Sequence, residues 1–227
     1  MKPIAYIKTD FGTKFGVPRQ SGLVPELKGE IRFLPEYSRP EAFRELDLFS
    51  HIWVIWEFSK AKREKWSPTV RPPRLGGNKR IGVFATRSPF RPNSIGLSCL
   101  KLDEIVFENG TAVLKVSGID MMNGTPVFDI KPYIPKADCI PEASEGYTAE
   151  TKLHFLEILF PEELKKLLPQ DKLPAVEGIL RNDPRPSYID DPERIYGIEY
   201  YGFDIKFSVN GNILKVMDIC PLTREES

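Results

Sequence analysis

The sequence predicts a mainly β protein, a small closed β-barrel domain followed by a smaller α+β domain. Two observations carry that prediction. Through the first two thirds of the 227 residues, runs rich in β-branched and aromatic residues recur at short spacing with few helical stretches between them. The composition then changes over residues 141–150, where Ala, Ser, Gly and acids read as a linker. The expected domains are therefore 1–145 and 150–227, sizes within the ordinary range for a chain of this length.

The elements follow in order. Pro40 suits the first position of a short helix that runs to about Leu46. Residues 52–58 (IWVIWEF) read as a buried strand, with Trp53 and Trp56 as core aromatics in preference to base-stacking residues. Residues 80–85, 97–107 and 111–116 are further strands. Asn109-Gly110 joins the last two as a type I′ hairpin, and Asn123-Gly124 marks another turn. Closely spaced strands of this kind close into a mainly antiparallel barrel. Beyond the linker come a strand at 152–159, helices at 161–168 and 173–180, and a hairpin of 196–208 with 213–219 closing on Asn210-Gly211.

The overall charge is zero, but it is unevenly placed. Residues 60–101 hold eleven basic residues against one acid, Glu64, whereas residues 102–227 hold thirteen basic residues against twenty-three acids. Such a cationic strip fits a polyanion such as RNA. Pro68, Pro72, Pro73, Pro89 and Pro92 stiffen it, so its arginines sit on constrained loops. Cys99, Cys139 and Cys220 form no CxxC pair and read as free thiols of a reducing, cytoplasmic setting. His51 and His154 are the only histidines, which argues against a zinc site or a histidine triad, so no metal is expected. No secretory signal or membrane span is read.

The run ATRSPFRPNSIG (85–96), preceded by RPPRLGG (71–77), resembles the TrmO family of tRNA methyltransferases. So do VPRQSGL (17–23), FSHIWVIW (49–56), DMMNGTPVFDIKPY (120–133) and NDPRPSY (182–188), in the expected order. The resemblance implies transfer of a methyl group from S-adenosylmethionine to N6-threonylcarbamoyladenosine beside the anticodon of tRNA. It also implies a barrel cofactor domain, a homodimer with the site near the subunit contact, and the bacterial form with an added C-terminal domain. The absence of a GxGxxG fingerprint agrees with a cofactor fold other than Rossmann.

By the same resemblance the cofactor pocket draws on Gln20, Ser21 and Gly22, on Ser59 and Lys60, on Arg87 and Leu97, and on Gly124, Thr125, Pro126 and Val127. Arg87 suits either a grip on the cofactor carboxylate or neutralisation of an acceptor anion. Arg91 and Asn93, in a stiff Phe-Arg-Pro-Asn turn, are expected to orient the modified base or its threonyl carboxylate. Asp129, Lys131 and Tyr133 alternate along one strand face. They form either a barrel ion pair beside a tyrosine or a group in which Asp129 or Tyr133 approaches the acceptor proton. Relatives often carry Asp where this chain has Asn123, and an amide is no base. Arg181, Asp183, Arg185 and Tyr188 form either a helix-ending turn with an Asp–Arg pair or, the favoured reading, a contact to the anticodon loop. Lys62, Arg63, Lys65, Arg71, Arg74, Lys79 and Arg80 would add salt-sensitive RNA affinity. The competing readings are a binding module for the modified loop without chemistry, and a barrel enzyme acting on a small anion.

Overall fold

In the computed structural model, which describes residues 1–61, 65–72, 79–150, 155–185 and 191–222, the first two thirds of the chain wind into a closed barrel. Its strands are β1 (Ala5–Thr9), β2 (Lys28–Phe33), β3 (His51–Glu57), β6 (Ile95–Glu108), β7 (Thr111–Ser117) and β8 (Thr125–Pro132). They are arranged β1-β2-β7-β6-β3-β8, and β8 returns to pair with β1. Every pairing is antiparallel. Period-two burial fills the interior. Ile52, Val54 and Trp56 point inward from β3, and Ser98, Leu100 and Leu102 do so from β6.

Registers fix which loops share an end. Thr9 pairs with Gly29, Lys28 with Ser117, Glu57 with Ile95, and Ile7 with Thr125. The β1–β2 connection, the residues after β3, those before β6 and the β7–β8 connection therefore gather at one mouth of the barrel. Three of the sequence motifs, 17–23, 85–96 and the start of 120–133, lie on these connections; most of 71–77 lies outside the described residues.

Outside the barrel, β4 (Thr69–Val70) and β5 (Ile81–Gly82) form a two-stranded pair. After the short helix α1 (Pro135–Asp138) come β9 (Glu157–Leu159), α2 (Glu162–Lys165) and α3 (Leu173–Arg181). The chain then forms β10 (Tyr196–Tyr200), β11 (Phe203–Asn210) and β12 (Ile213–Pro221). The second sheet runs β10-β11-β12-β9, with β9 parallel to β12. Four inward residues of α3, Ala175, Val176, Ile179 and Leu180, join a core continuous with Val24, Leu27 and Phe11 of the barrel side.

Several expected elements take different form. Residues 80–85 make only the two-residue β5 and a tight turn, because β4 offers two residues to pair with and the Thr86 hydroxyl caps Val83. The short helix expected from Pro40 is present as a 3-10 turn of helix over Pro40–Phe43, and it stops before Leu46 because Glu45 takes a φ of 64°. Phe43 anchors this turn, edge-on to Phe33 at 4.9 Å. The 161–168 helix is shortened to α2. The 196–208 run splits at Tyr201-Gly202, both at positive φ (50° and 78°), into β10 and β11. The β11–β12 turn has Gly211 and Asn212 at its centre, with Gly211 at φ 57°, since Asn210 itself pairs with Ile213. Asn109 and Gly110 (φ 51° and 77°) make the expected tight hairpin. Of the 152–159 strand, residues 157–159 are extended, and 151–154 lie outside the described residues.

Gly96 admits the indole of Trp56 across the β3–β6 pair; a Cβ there would overlap the ring carbons. Gly96→Ala is expected to destabilise the protein by about 1–3 kcal/mol through overpacking. Chemical denaturation measures this, and an unchanged midpoint would contradict the packing.

Candidate active site

The mouth is organised by a short chain of side-chain hydrogen bonds that starts in the buried wall and ends on a partly buried acid. Trp56 Nε1 donates to Ser98 Oγ at 2.9 Å, and Ser98 Oγ donates to Asp120 Oδ1 at 2.6 Å. Ser98 occupies an inward position of β6, 1% exposed, where alternation would otherwise place an apolar side chain. Asp120 follows Gly118 and Ile119 at the end of β7. Burial pushes its carboxyl from the ordinary 3.8 up to about 6, while Ser98, the backbone N–H groups of Asp120 and Ser21, and the charge of Arg87 pull it down. At neutral pH it is therefore largely an anion, held among donors.

Ser21 ties this anion to the β1–β2 connection. Its Oγ also accepts from the Cys99 N–H at 3.2 Å. Next to it, Gly22 N–H donates to Gly118 O at 2.9 Å. The two glycines sit backbone to backbone: a Cβ on Gly118 would meet Gly22 N and Cα at 3.2 Å, and both have positive φ. Gln20 Oε1 accepts from Arg87 Nη1 at 3.2 Å, and the Arg87 side chain is otherwise open to solvent. Gln20, Ser21, Gly22 and Arg87 are thus brought together as expected, around an acid that the site reading left out.

The remaining expected residues divide. Ser59 and Lys60 form the turn after β3 at the same mouth, Lys60 exposed. Leu97, the third residue of β6, is 57% exposed on the outer face. Gly124 follows Asn123 in the β7–β8 turn, where Gly124 N–H donates to Ile7 O and Asn123 accepts from Thr9 N–H. Thr125 is buried and its hydroxyl donates to Met122 O at 2.8 Å, so it serves this turn. Pro126 and Val127 are buried beside β1. Arg91 spends its guanidinium on its own loop, with Nη1 donating to Thr86 O at 2.7 Å. Asn93 is exposed beside it.

Asp129, Lys131 and Tyr133 follow one another along the outside of β8 and just past its end, Asp129 level with Ile55, Lys131 with Trp53, and Tyr133 farthest from the mouth. Asp129 and Lys131 make the surface ion pair that one reading expected, at 3.1 Å. Tyr133 lies eight residues beyond Thr125, about 26 Å along an extended strand, and packs against Trp53 and His51. Desolvation, with the nearby Cys139 and Cys99 thiols, raises its phenol above the ordinary value, the opposite of what a base requires.

The Arg181–Tyr188 cluster corrects the favoured reading at Arg185. Its side chain is turned inward, 9% exposed, and forks onto Asp183 through Nε at 2.8 Å and Nη2 at 2.9 Å. A guanidinium buried in a bidentate pair is not presented to a phosphate. Its backbone carbonyl instead accepts from Arg19 Nη2 at 2.9 Å, and Asn182 Nδ2 donates to Leu23 O at 3.3 Å. Both bonds end on the loop that carries Gln20–Gly22. Arg181 is exposed at the end of α3, and Tyr188 lies outside the described residues. Ser98, Asp120, Arg19 and Asn182 are the residues that sequence reasoning missed. Asp120 had a signal, an acid between Ile119 and Met121, both 1% exposed.

Chemically, the mouth offers an anion, Asp120, and a cation, Arg87, coupled by charge, exposed main chain at Gly22, and a basic surface beside it. It suits a small ligand carrying both charges. Among the described residues no His, Cys, Asp or Glu cluster could hold a metal, and no helix is long and apolar enough to cross a membrane.

Comparison with known proteins adds independent findings. Residues 6–139 match the family model of the tRNA-methyltransferase O N-terminal domain, and residues 154–222 that of the TrmO C-terminal domain. The chain is 39% identical over 227 residues to the tRNA (adenine(37)-N6)-methyltransferase of Escherichia coli, covering 96% of each. It is 38% identical, again over 96% of each chain, to a Pseudomonas aeruginosa protein described as an S-adenosylmethionine-dependent methyltransferase. The crystal structure of TrmO from P. aeruginosa superposes with a TM-score of 0.77 at 34% identity, covering 96% of this chain and 95% of that one.

The raised carboxyl of Asp120 has a consequence for stability. Its folded value lies above its unfolded one, so its contribution is complete below about pH 4 and is lost as pH rises through about 6. Asp120→Asn keeps an acceptor for Ser98 but does not titrate. The difference in melting temperature, variant minus wild type, is expected to become more positive between about pH 4.5 and about pH 7.5. A difference that stays constant with pH would contradict the burial of this charge.

Proposed function

The chain belongs to the TrmO family, and on that premise we propose that the Asp120 mouth of the barrel holds S-adenosylmethionine for methylation of N6-threonylcarbamoyladenosine in tRNA. The enzyme is an S-adenosylmethionine-dependent methyltransferase of the tRNA adenine-N6 class. The observation that carries the placement is that Gln20 and Ser21, from one motif, meet Arg87 and Asp120, from two others, in one hydrogen-bonded and charge-coupled group.

When bound, the cofactor supplies an activated methyl group and its own leaving group. The chain's task is placement and exclusion of water. Gln20 holds one arm of the Arg87 guanidinium and leaves other N–H groups of its fork for a carboxylate. Asp120 sets a negative charge near Arg87 and engages the Ser21 N–H, so the two loops keep one relative position. The space beside Gly22 lets a ligand approach main chain. Lys60, Lys65, Arg71, Lys79 and Arg80 are all exposed on the adjoining basic strip, which supports tRNA as the acceptor. A homodimer in the cytoplasm completes the reading. The outer-face Leu97, and Tyr133 so far from the mouth, are consistent with a second copy on that side; sedimentation at twice the chain mass would check it.

The test supplies labelled S-adenosylmethionine and two tRNA pools matched except for the threonylcarbamoyl group. Label is expected to enter the modified pool alone. Arg87→Ala is expected to lower that rate on the order of 100-fold with the fold intact. Label in neither pool, or a well-folded Arg87→Ala variant with normal turnover, would overturn the assignment.

A further inference from the structure

Two large aromatic rings stand in the open beside the mouth and have no part in the site above. Trp66 is 50% exposed and Phe84 70% exposed. Their ring centroids lie 6.1 Å apart with the planes inclined by 33°. They are held there by structure on both sides. Val83, 1% exposed, donates its N–H to Pro68 O at 2.9 Å, and the β4–β5 pair and the Ser67 Oγ to Thr69 O bond brace the Trp66 side. On the Phe84 side, Arg91 bonds Thr86 O and places its guanidinium 5.8 Å from the Phe84 centroid. The chain thus fixes two large aromatic rings in solvent at the cost of their hydration, amid a stretch, residues 65–96, that contains no acid.

We propose that Trp66 and Phe84 form a stacking platform for an unpaired nucleotide of the tRNA substrate, flanking the adenosine that is methylated. The proposal rests on the tRNA-methyltransferase reading above and adds to it a site for a second base. Exposed aromatic rings set among cations match what single-stranded RNA presents: flat bases on a phosphate backbone. At 6.1 Å the rings already approach each other, so a base stacks on the outer surface of the pair instead of entering between them. Phe84 is three residues from Arg87, at most about 11 Å of chain. A base on the platform is therefore a close neighbour of one reaching the mouth. Arg91, which the sequence suggested as a contact to the reacting base, acts here by setting the Phe84 loop.

The test measures binding of the full chain to unmethylated tRNA, to heparin and to S-adenosylmethionine. Phe84→Ala and Trp66→Ala are each expected to weaken tRNA about tenfold. Affinity for S-adenosylmethionine and for heparin, a polyanion without bases, should stay at wild-type values. The salt dependence of tRNA binding should keep its slope, because no charge is removed, and Trp66→Phe should retain most of the affinity. Wild-type tRNA affinity in both alanine variants overturns the platform while leaving methylation by the wild type, and hence the parent reading, standing. An equal loss for heparin overturns it in favour of a general electrostatic effect, and conversion of a dimer to a monomer overturns it in favour of a second copy. A wild-type protein that neither binds nor methylates tRNA overturns both readings.

Discussion

The hydrogen bond from Ser98 to Asp120 is the interaction on which the arrangement of the mouth depends. A carboxylate placed at the end of a barrel core is costly unless donors surround it. Ser98, on an inward position of β6, is one donor, and it is itself fixed by the Trp56 indole. Ser21 N–H is another, and it brings the β1–β2 loop to the acid. The same charge acts on Arg87, and Gln20 completes the connection between the two loops. The network links the barrel wall, the β1–β2 loop and the arginine loop without an apolar alternative, because replacing any one member strands another in a partly desolvated place.

The C-terminal region supports that network from behind. Asn182 and the Arg185 carbonyl hold Leu23 and Arg19, on either side of Gln20–Gly22. Gly178 lets α3 close on Val24, since a Cβ there would lie 2.5 Å from that side chain. Lys172 pairs with Asp10 at 2.7 Å and lies 4.3 Å from the Tyr201 ring centroid. Phe11 meets Tyr200 at 5.1 Å. The Asp183–Arg185 fork thus fixes the backbone carbonyl that holds Arg19 of the β1–β2 loop, which accounts for an arginine facing inward in a motif that reads as an RNA contact.

Much of this was legible in the sequence. The barrel followed from closely spaced runs of β-branched and aromatic residues, and the Asn109-Gly110 hairpin from turn chemistry. Gln20, Ser21, Gly22 and Arg87 followed from motif resemblance. What escaped depends on contacts between residues distant in sequence. Asp120 looks like any acid until Ser98 is seen beside it. Arg185 looks exposed until Asp183, at φ 47°, folds back onto it. The 80–85 run has strand composition but finds only a two-residue partner. Tyr201-Gly202 makes the same hairpin as an Asn-Gly pair, yet a tyrosine at positive φ carries no sequence signal.

Amide hydrogen exchange of the full chain, with and without S-adenosylmethionine, tests the placement of the cofactor most directly. The account predicts slowed exchange in residues 19–23, 86–98 and 118–124, with β10, β11 and β12 unchanged. Slowing confined to the C-terminal sheet, with none in those three segments, would contradict it.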